Sequence, residues 1–177
     1  MFEPEPPPAP RDLSSRLFNA ALLNGRTFRD LNEDERANGQ VYALVGAAAI
    51  ASAIGSMDDP AVAVSNAFLV VAGWIIYAYT AAFLRGVLFD SIHAEATRPG
   101  MLRVVGIAYG PALFRVFGII PDFGDVIWLL STIWLLVAIA AGLKTTLGFG
   151  NYWPPAGILI IGMILNGLLS GLIFAFL

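Results

Sequence analysis

Residues 126–143 read VIWLLSTIWLLVAIAAGL, an 18-residue run without a charge, bounded by Asp125 on one side and Lys144 on the other. At about 1.5 Å rise per residue, such a helix covers about 27 Å, close to the roughly 30 Å hydrocarbon core of a bilayer. A surface helix of a soluble domain needs only one apolar stripe. Here the apolar residues run all round, and the stretch reads as a transmembrane helix. Working outward, four more runs of the same kind appear at residues 41–57, 61–84, 104–120 and 155–177. The expected fold class is therefore all-α. It is a polytopic membrane protein, a bundle of five transmembrane helices preceded by a short N-terminal amphipathic helix.

The breaks between these runs have turn chemistry. Asp58-Asp59-Pro60 and Pro121-Asp122-Phe123-Gly124-Asp125 are tight polar turns, and Asp90 to Gly100 is a charged loop. Gly148, Gly150, Asn151, Pro154 and Pro155 separate the last two runs. No charge follows Lys144, so the last span is expected to reach Leu177.

Composition points the same way. Of 177 residues, 58% are hydrophobic and 13% charged, and the mean hydropathy is +0.74. An average soluble domain is about 45–50% apolar and about 25% charged, so an ordinary soluble enzyme and a disordered chain are both excluded. A net charge of −3 provides no basic surface for nucleic acid. The absence of cysteine excludes disulfides, thiolate metal sites and thiol catalysis.

Ahead of the first run, residues 1–11 form a Pro-rich tail, acidic and without the basic and apolar regions of a secretory signal. It reads as a flexible lead-in or as a peptide for a proline-binding module. Residues 12–40 form an interfacial lead-in. Asp12 is placed to cap a helix over 13–23, with Leu13, Leu17 and Ala21 on one stripe and Phe18 and Leu22 beside it. Asn24-Gly25 closes that helix, and a second short element over 28–32 ends at Glu33-Asp34-Glu35. The membrane domain then occupies 41–177.

Arginine and lysine alternate between the loops. Arg11, Arg16, Arg26, Arg29 and Arg36 precede the first span, Arg85, Arg98 and Arg103 flank the second loop, and Lys144 marks the fourth. The first and third turns carry only acids. Positive charge accumulates on the cytoplasmic side, so the N-terminus is expected there and Leu177 on the opposite face. In a bacterium this would be the inner membrane.

Few residues can carry chemistry. Arg115 lies inside a predicted span, where a charge is costly and faces the bundle or a watery cavity. It reads as an anion or substrate site, as an ion pair with Asp125 or with Asp122, which lies seven residues on and is reached along one helix face or through a turn at Pro121, or as an arginine that simply snorkels to the interface. Arg115, Asp122 and Asp125 are therefore the candidate intramembrane polar site. Asp90, His93 and Glu95 form a loose, ligand-poor group, weak as a metal site. No nucleophile–base pair and no phosphate-binding glycine loop is present. No catalytic residue, cofactor or metal is expected.

Small residues are more informative. Ala48/Ser52, Ala51/Gly55, Gly106/Gly110 and Gly167/Gly171 recur at four-residue spacing, with Pro111 directly after Gly110. Such pairs let helix backbones approach closely in lipid, and Asn66 and Asn166 can add interhelical hydrogen bonds of about 0.6 kcal/mol each. Gly106, Gly110, Pro111, Gly167 and Gly171 are the candidate packing or partner faces. Any of them can serve the bundle itself or an outside helix.

Several of these segments resemble the Yip-domain family in its short bacterial form. Gly106-Ile107-Ala108-Tyr109-Gly110-Pro111 is similar to the family's Gly–Tyr–four-apolar–Pro helix start, with the tyrosine shifted toward the proline, and Ile120-Pro121-Asp122-Phe123-Gly124 resembles the turn that follows. Trp128 and Trp134 fall in an aromatic-rich fourth helix, and Arg16 to Leu23 with Thr27-Phe28-Arg29 resembles the lead-in. At the place of the eukaryotic Asp-Leu-Tyr-Gly-Pro motif stands Arg29-Asp30-Leu31-Asn32, so the GTPase binding of eukaryotic members is not carried over. The resemblance implies a non-enzymatic protein that binds membrane partners or organises the membrane, as a scaffold or accessory subunit. Its partners would be membrane lipids and a membrane protein or a second copy, with no nucleic acid. The competing expectation is a small transporter or channel, with Arg115 lining a polar path beside the Gly106–Pro111 interruption.

Overall fold

A computed structural model describes residues 12–88 and 97–176. The tail over 1–11 and the Asp90, His93 and Glu95 group lie outside the described residues. Within them every regular element is a helix, with no strand.

Two short helices come first. In α1, Leu13–Ala21, the Asp12 carboxylate accepts from the Ser15 backbone N–H at 2.9 Å and the Ser14 hydroxyl at 2.6 Å. These bonds, led by that of Ser14, hold the Asp12 pKa at about 2. The helix stops two residues earlier than the expected 23 because Leu23 takes a left-handed φ of 58°, which ends helical geometry. Helix α2, Gly25–Glu33, starts on the Asn24 side chain, which accepts from Arg26 N–H at 3.0 Å. Asp34 caps a single 3-10 turn, Glu35–Ala37, that runs straight into α3, Asn38–Ile54.

Asp59 accepts from Ala61 and Val62 N–H and starts α4, Pro60–Leu88, with its proline at a position that needs no donor. Thr97 caps α5, Arg98–Ile107. After a break comes a 3-10 helix, Gly110–Ile119. The last two elements are α6, Gly124–Thr146, and α7, Trp153–Phe174.

Four stretches are long and apolar enough to cross a membrane: Glu35–Ile54, Pro60–Arg85, Gly124–Thr146 and Trp153–Phe174. A fifth crossing exists only if α5 and the 3-10 helix count as one, and they are bent by 43°. This corrects the expectation of a single helix over 104–120. Pro111 has no N–H to donate, and the bonds across the break are the shorter turns Tyr109 N–H to Gly106 O and Ala112 N–H to Tyr109 O. Ten 3-10 residues rise about 20 Å and ten α residues about 15 Å, enough path together for a bilayer core.

The two short helices are built into one end of the bundle. Phe28 and Leu31 of α2 are fully buried. Phe28 lies against Gly142 of α6, where a Cβ would meet its ring at 3.1 Å. On α1 the buried residues are Arg16 and Ala20, Leu13 and Leu17 pack at the edge of the core, and Phe18 and Leu22 face outward. Arg16 bonds Gln40 at 2.9 Å and pairs with Asp34. Partial burial would raise the Asp34 pKa, but hydrogen bonds from Arg16 and the Arg36 N–H bring it below the ordinary carboxylate value.

Arg103 of α5 completes this end. Its Nε donates to Leu31 O at 2.7 Å, Nη1 to Asn38 Oδ1 at 3.2 Å and Nη2 to Asn32 O at 2.5 Å. It thereby satisfies carbonyls at the C-terminal end of α2, which a helix leaves without internal partners. Gly106 sits beneath it, with Val41 and Trp74 filling the space a side chain would need. The Trp74 Nε1–H donates to Leu102 O at 2.8 Å and ties α4 to α5.

Candidate functional site

At the far end of the bundle the packing opens. Helix α7 crosses α4 where Gly162 lies flat against the Tyr77 ring. Before that crossing Pro155, Ile158 and Leu159 are buried; beyond it no α7 residue is. The divergence leaves a cavity of about 320 Å³ between α4, α6, α7 and the 3-10 helix. Its apolar walls include Leu69, Val70, Leu135, Leu136 and Met163, and its polar lining includes Asn66, Tyr77, Tyr109, Arg115, Thr132, Asn166 and Ser170.

Arg115 is 9% exposed. Its backbone is pinned by a close approach. A Cβ on Gly55, at the end of α3, would run into the Arg115 carbonyl, and one on Gly118 would meet Gly55 O at 2.6 Å. Glycine is required at both positions because backbone meets backbone there. The side chain then reaches α6. Nη2 donates to Thr132 Oγ1 at 3.1 Å and Nε lies 3.4 Å from Ser131 Oγ. The guanidinium stands 4.5 Å from the Trp128 ring centroid, a cation–π arrangement.

The expected partners are not there. Asp122 and Asp125 are exposed, Asp122 in a left-handed turn with φ 66° and Asp125 in the first turn of α6. Neither pairs with Arg115, and no carboxylate among the described residues lies within ion-pair distance of it. The turn at residues 121–123 directs both acids away from the bundle, so the seven-residue spacing that suggested a shared face does not apply.

The other polar groups around the cavity divide in two. Asn66 Nδ2 donates to Ser56 Oγ at 3.0 Å, and Ser56 Oγ to Ser52 O at 2.8 Å, so Asn66 links α4 to the end of α3. The Asn166 Oδ1 is buried with no hydrogen-bond partner among the described residues. It lies near Tyr109: a Cβ on Gly73 would be 2.9 Å from the Tyr109 hydroxyl and 3.3 Å from Asn166 Oδ1.

The glycine pairs also separate. Gly106 is filled against by Val41 and Trp74, and Gly110 by Leu17 at 3.1 Å, while Pro111 is buried at the start of the 3-10 helix. These residues pack within the bundle. Around Gly167 and Gly171 nothing lies within 4 Å of a Cβ position. Gly167 borders the cavity and Gly171 does not.

On the other side of the 3-10 helix is a nearly wholly apolar groove of about 640 Å³. Leu17, Phe18, Leu113, Phe114, Leu130 and Trp134 are among its walls, and it shares Ser131 with the Arg115 site. Sequence reasoning singled out Arg115 but missed Tyr77, Tyr109 and the Gly55–Gly118 contact. Tyr77 carries no local signal among so many aromatics, and Tyr109 stands out only within the Gly106–Pro111 helix start, not as a site residue. The glycines are far apart in sequence, although Ala51/Gly55 was a hint. No family model, curated protein or solved structure matches the chain.

Proposed function

We propose that this chain is a non-enzymatic integral membrane protein that binds a transmembrane helix of another membrane protein, as a scaffold or accessory subunit of Yip-like plan. The observation that carries the reading is the contrast between the glycine pairs. Gly106 and Gly110 are used up inside the bundle, whereas the second half of α7 keeps an open small-residue face at Gly171. In lipid, where the hydrophobic effect does not drive helices together, such a face favours close helix approach. The arrangement of basic residues supports an orientation with the α1–α2 end cytoplasmic.

The test is association of the full chain with co-extracted membrane proteins in native lipid discs, read by cross-linking and mass spectrometry. A stoichiometric membrane-protein partner, lost on Gly171→Leu without a change in thermal unfolding, is the expected result. A chain that comes out alone, or a partner that survives the substitution, sinks the reading. A second reading, a small transporter with Arg115 on its path, is favoured by the broken α5–3-10 element beside the cavity. Reconstituted protein that shows no flux, or the same flux after Arg115→Leu, rules it out.

A further inference from the structure

We propose that the cavity between α4, α6 and α7 is a binding site for the headgroup of an anionic glycerophospholipid, its phosphodiester held by Arg115. The first argument is charge. A guanidinium has five N–H donors, and among the described residues Arg115 uses two of them, on the neutral hydroxyls of Ser131 and Thr132. It stands over Trp128 with no carboxylate near. A charge so placed in a low-dielectric setting calls for a counter-charge, and phosphate is the anion a bilayer itself supplies. Arginine's planar fork suits it, and basic pockets between membrane helices are known to take such headgroups.

A second argument is the rest of the lining. Asn166 Oδ1 is a buried acceptor without a donor. Tyr77 and Tyr109 line the same cavity, and neither hydroxyl makes a hydrogen bond among the described residues. A headgroup with a hydroxyl next to its phosphate, such as phosphoglycerol, satisfies both the guanidinium and the orphaned amide. A choline headgroup brings no donor and no net charge.

The third is amphipathicity. Leu69, Val70, Leu135 and Met163 line the cavity beside its polar groups, and the apolar groove that shares Ser131 adds room for a chain next to the charge. Such walls suit a lipid better than a free ion. Along α6, Trp128 and Thr132 lie about 6 and 12 Å in from the first residue, Gly124. A phosphate at the bilayer interface can meet the guanidinium at that depth.

The experiment is native mass spectrometry of the intact detergent-purified chain, titrated separately with phosphatidylglycerol, phosphatidylcholine and soluble glycerol phosphate. We expect one phosphatidylglycerol per chain, at least tenfold tighter than phosphatidylcholine, and no glycerol phosphate bound at the same concentration. Arg115→Met should weaken phosphatidylglycerol at least tenfold. Asn166→Leu, which keeps the charge, should narrow the preference over phosphatidylcholine and remains informative should Arg115→Met not fold. Equal retention of the two lipids by the parent overturns the proposal, as does unaltered binding in both variants. Glycerol phosphate bound as tightly as the lipid, and lost with Arg115, would assign the site to a soluble oxyanion and overturn the lipid assignment.

Discussion

Arg103 and Arg115 sit on the two halves of one broken element, both buried, twelve residues apart. Around Arg103 the bundle is closed: three of its donors end on oxygens of Leu31, Asn32 and Asn38, and Gly106 is packed against Val41 and Trp74. Around Arg115 it is open: two hydroxyls and an indole ring are its partners, and a cavity adjoins it. The same residue type thus does two different things. Where backbone carbonyls at a helix end have no internal partner, arginine becomes part of the fold. Where helices diverge, it is left with donors that no described residue takes up.

Substitutions at the two arginines should separate these roles most strongly. Arg103→Met strands buried carbonyls and an amide, and should cost about 3–5 kcal/mol of stability, read by thermal or denaturant unfolding in micelles. If it is tolerated like a surface change, the end of the bundle around it is not closed. Next comes Gly106→Leu, which forces Val41 and Trp74 apart and should cost about 1–3 kcal/mol or more. Arg115→Met removes a buried charge without a counter-ion and should shift stability by less than about 1 kcal/mol, in either direction. A loss as large as that at Arg103 would show that the two arginines are alike. Gly171→Leu meets nothing and should stay within about 0.5 kcal/mol. Equal effects of the two glycine substitutions on melting temperature would erase the distinction between used and open faces.

Acid provides a smaller and more local contrast. Asp12 and Asp34 have folded pKa values below their ordinary 3.8, Asp12 at about 2. A lowered carboxylate stabilises the fold above its unfolded pKa and loses that contribution as pH falls through the folded one. The α1–α2 end should therefore loosen between about pH 4 and pH 2, seen as faster amide exchange in α1, while α6 and α7 hold. Asp34→Asn should remove that residue's part of the acid response and leave the part due to Asp12.

Much of the fold was legible because membrane helices are written in length and polarity. The runs at 61–84, 126–143 and 155–177 fall within or largely within α4, α6 and α7, and the turns at Asp59-Pro60 and Pro121–Asp125 stand where their chemistry put them. The run at 41–57 starts three residues late, since Asn38 and Gln40 are polar yet helical, and ends three residues late, since Gly55 to Met57 carry no charge yet form a turn. The run at 104–120 misleads more seriously. Hydropathy does not distinguish α from 3-10 backbone, and Arg98 to Arg103 reads as loop although it is helix.

For the site, intramembrane charge drew attention to Arg115, but no local pattern shows that the turn after Pro121 leaves Asp122 and Asp125 exposed instead of paired with it. Arg16 and Arg103 show the converse error. Arg16 reads as a charge on an interfacial helix and Arg103 as a loop charge, and both are buried with hydrogen bonds to distant residues. Nothing local separates a snorkelling arginine from one that closes a helix end.

By itself the sequence determined that this chain is helical, apolar enough for a membrane and punctuated by acidic and glycine–proline turns, because those properties sum over short windows. Tertiary structure alone decided which arginine is satisfied, which glycines are filled and where a cavity remains. Those depend on where α7 leaves α4 at Gly162 and where Gly55 meets the backbone of Arg115. Such contacts join residues tens of positions apart, and their signs are set by atoms that no local pattern brings together.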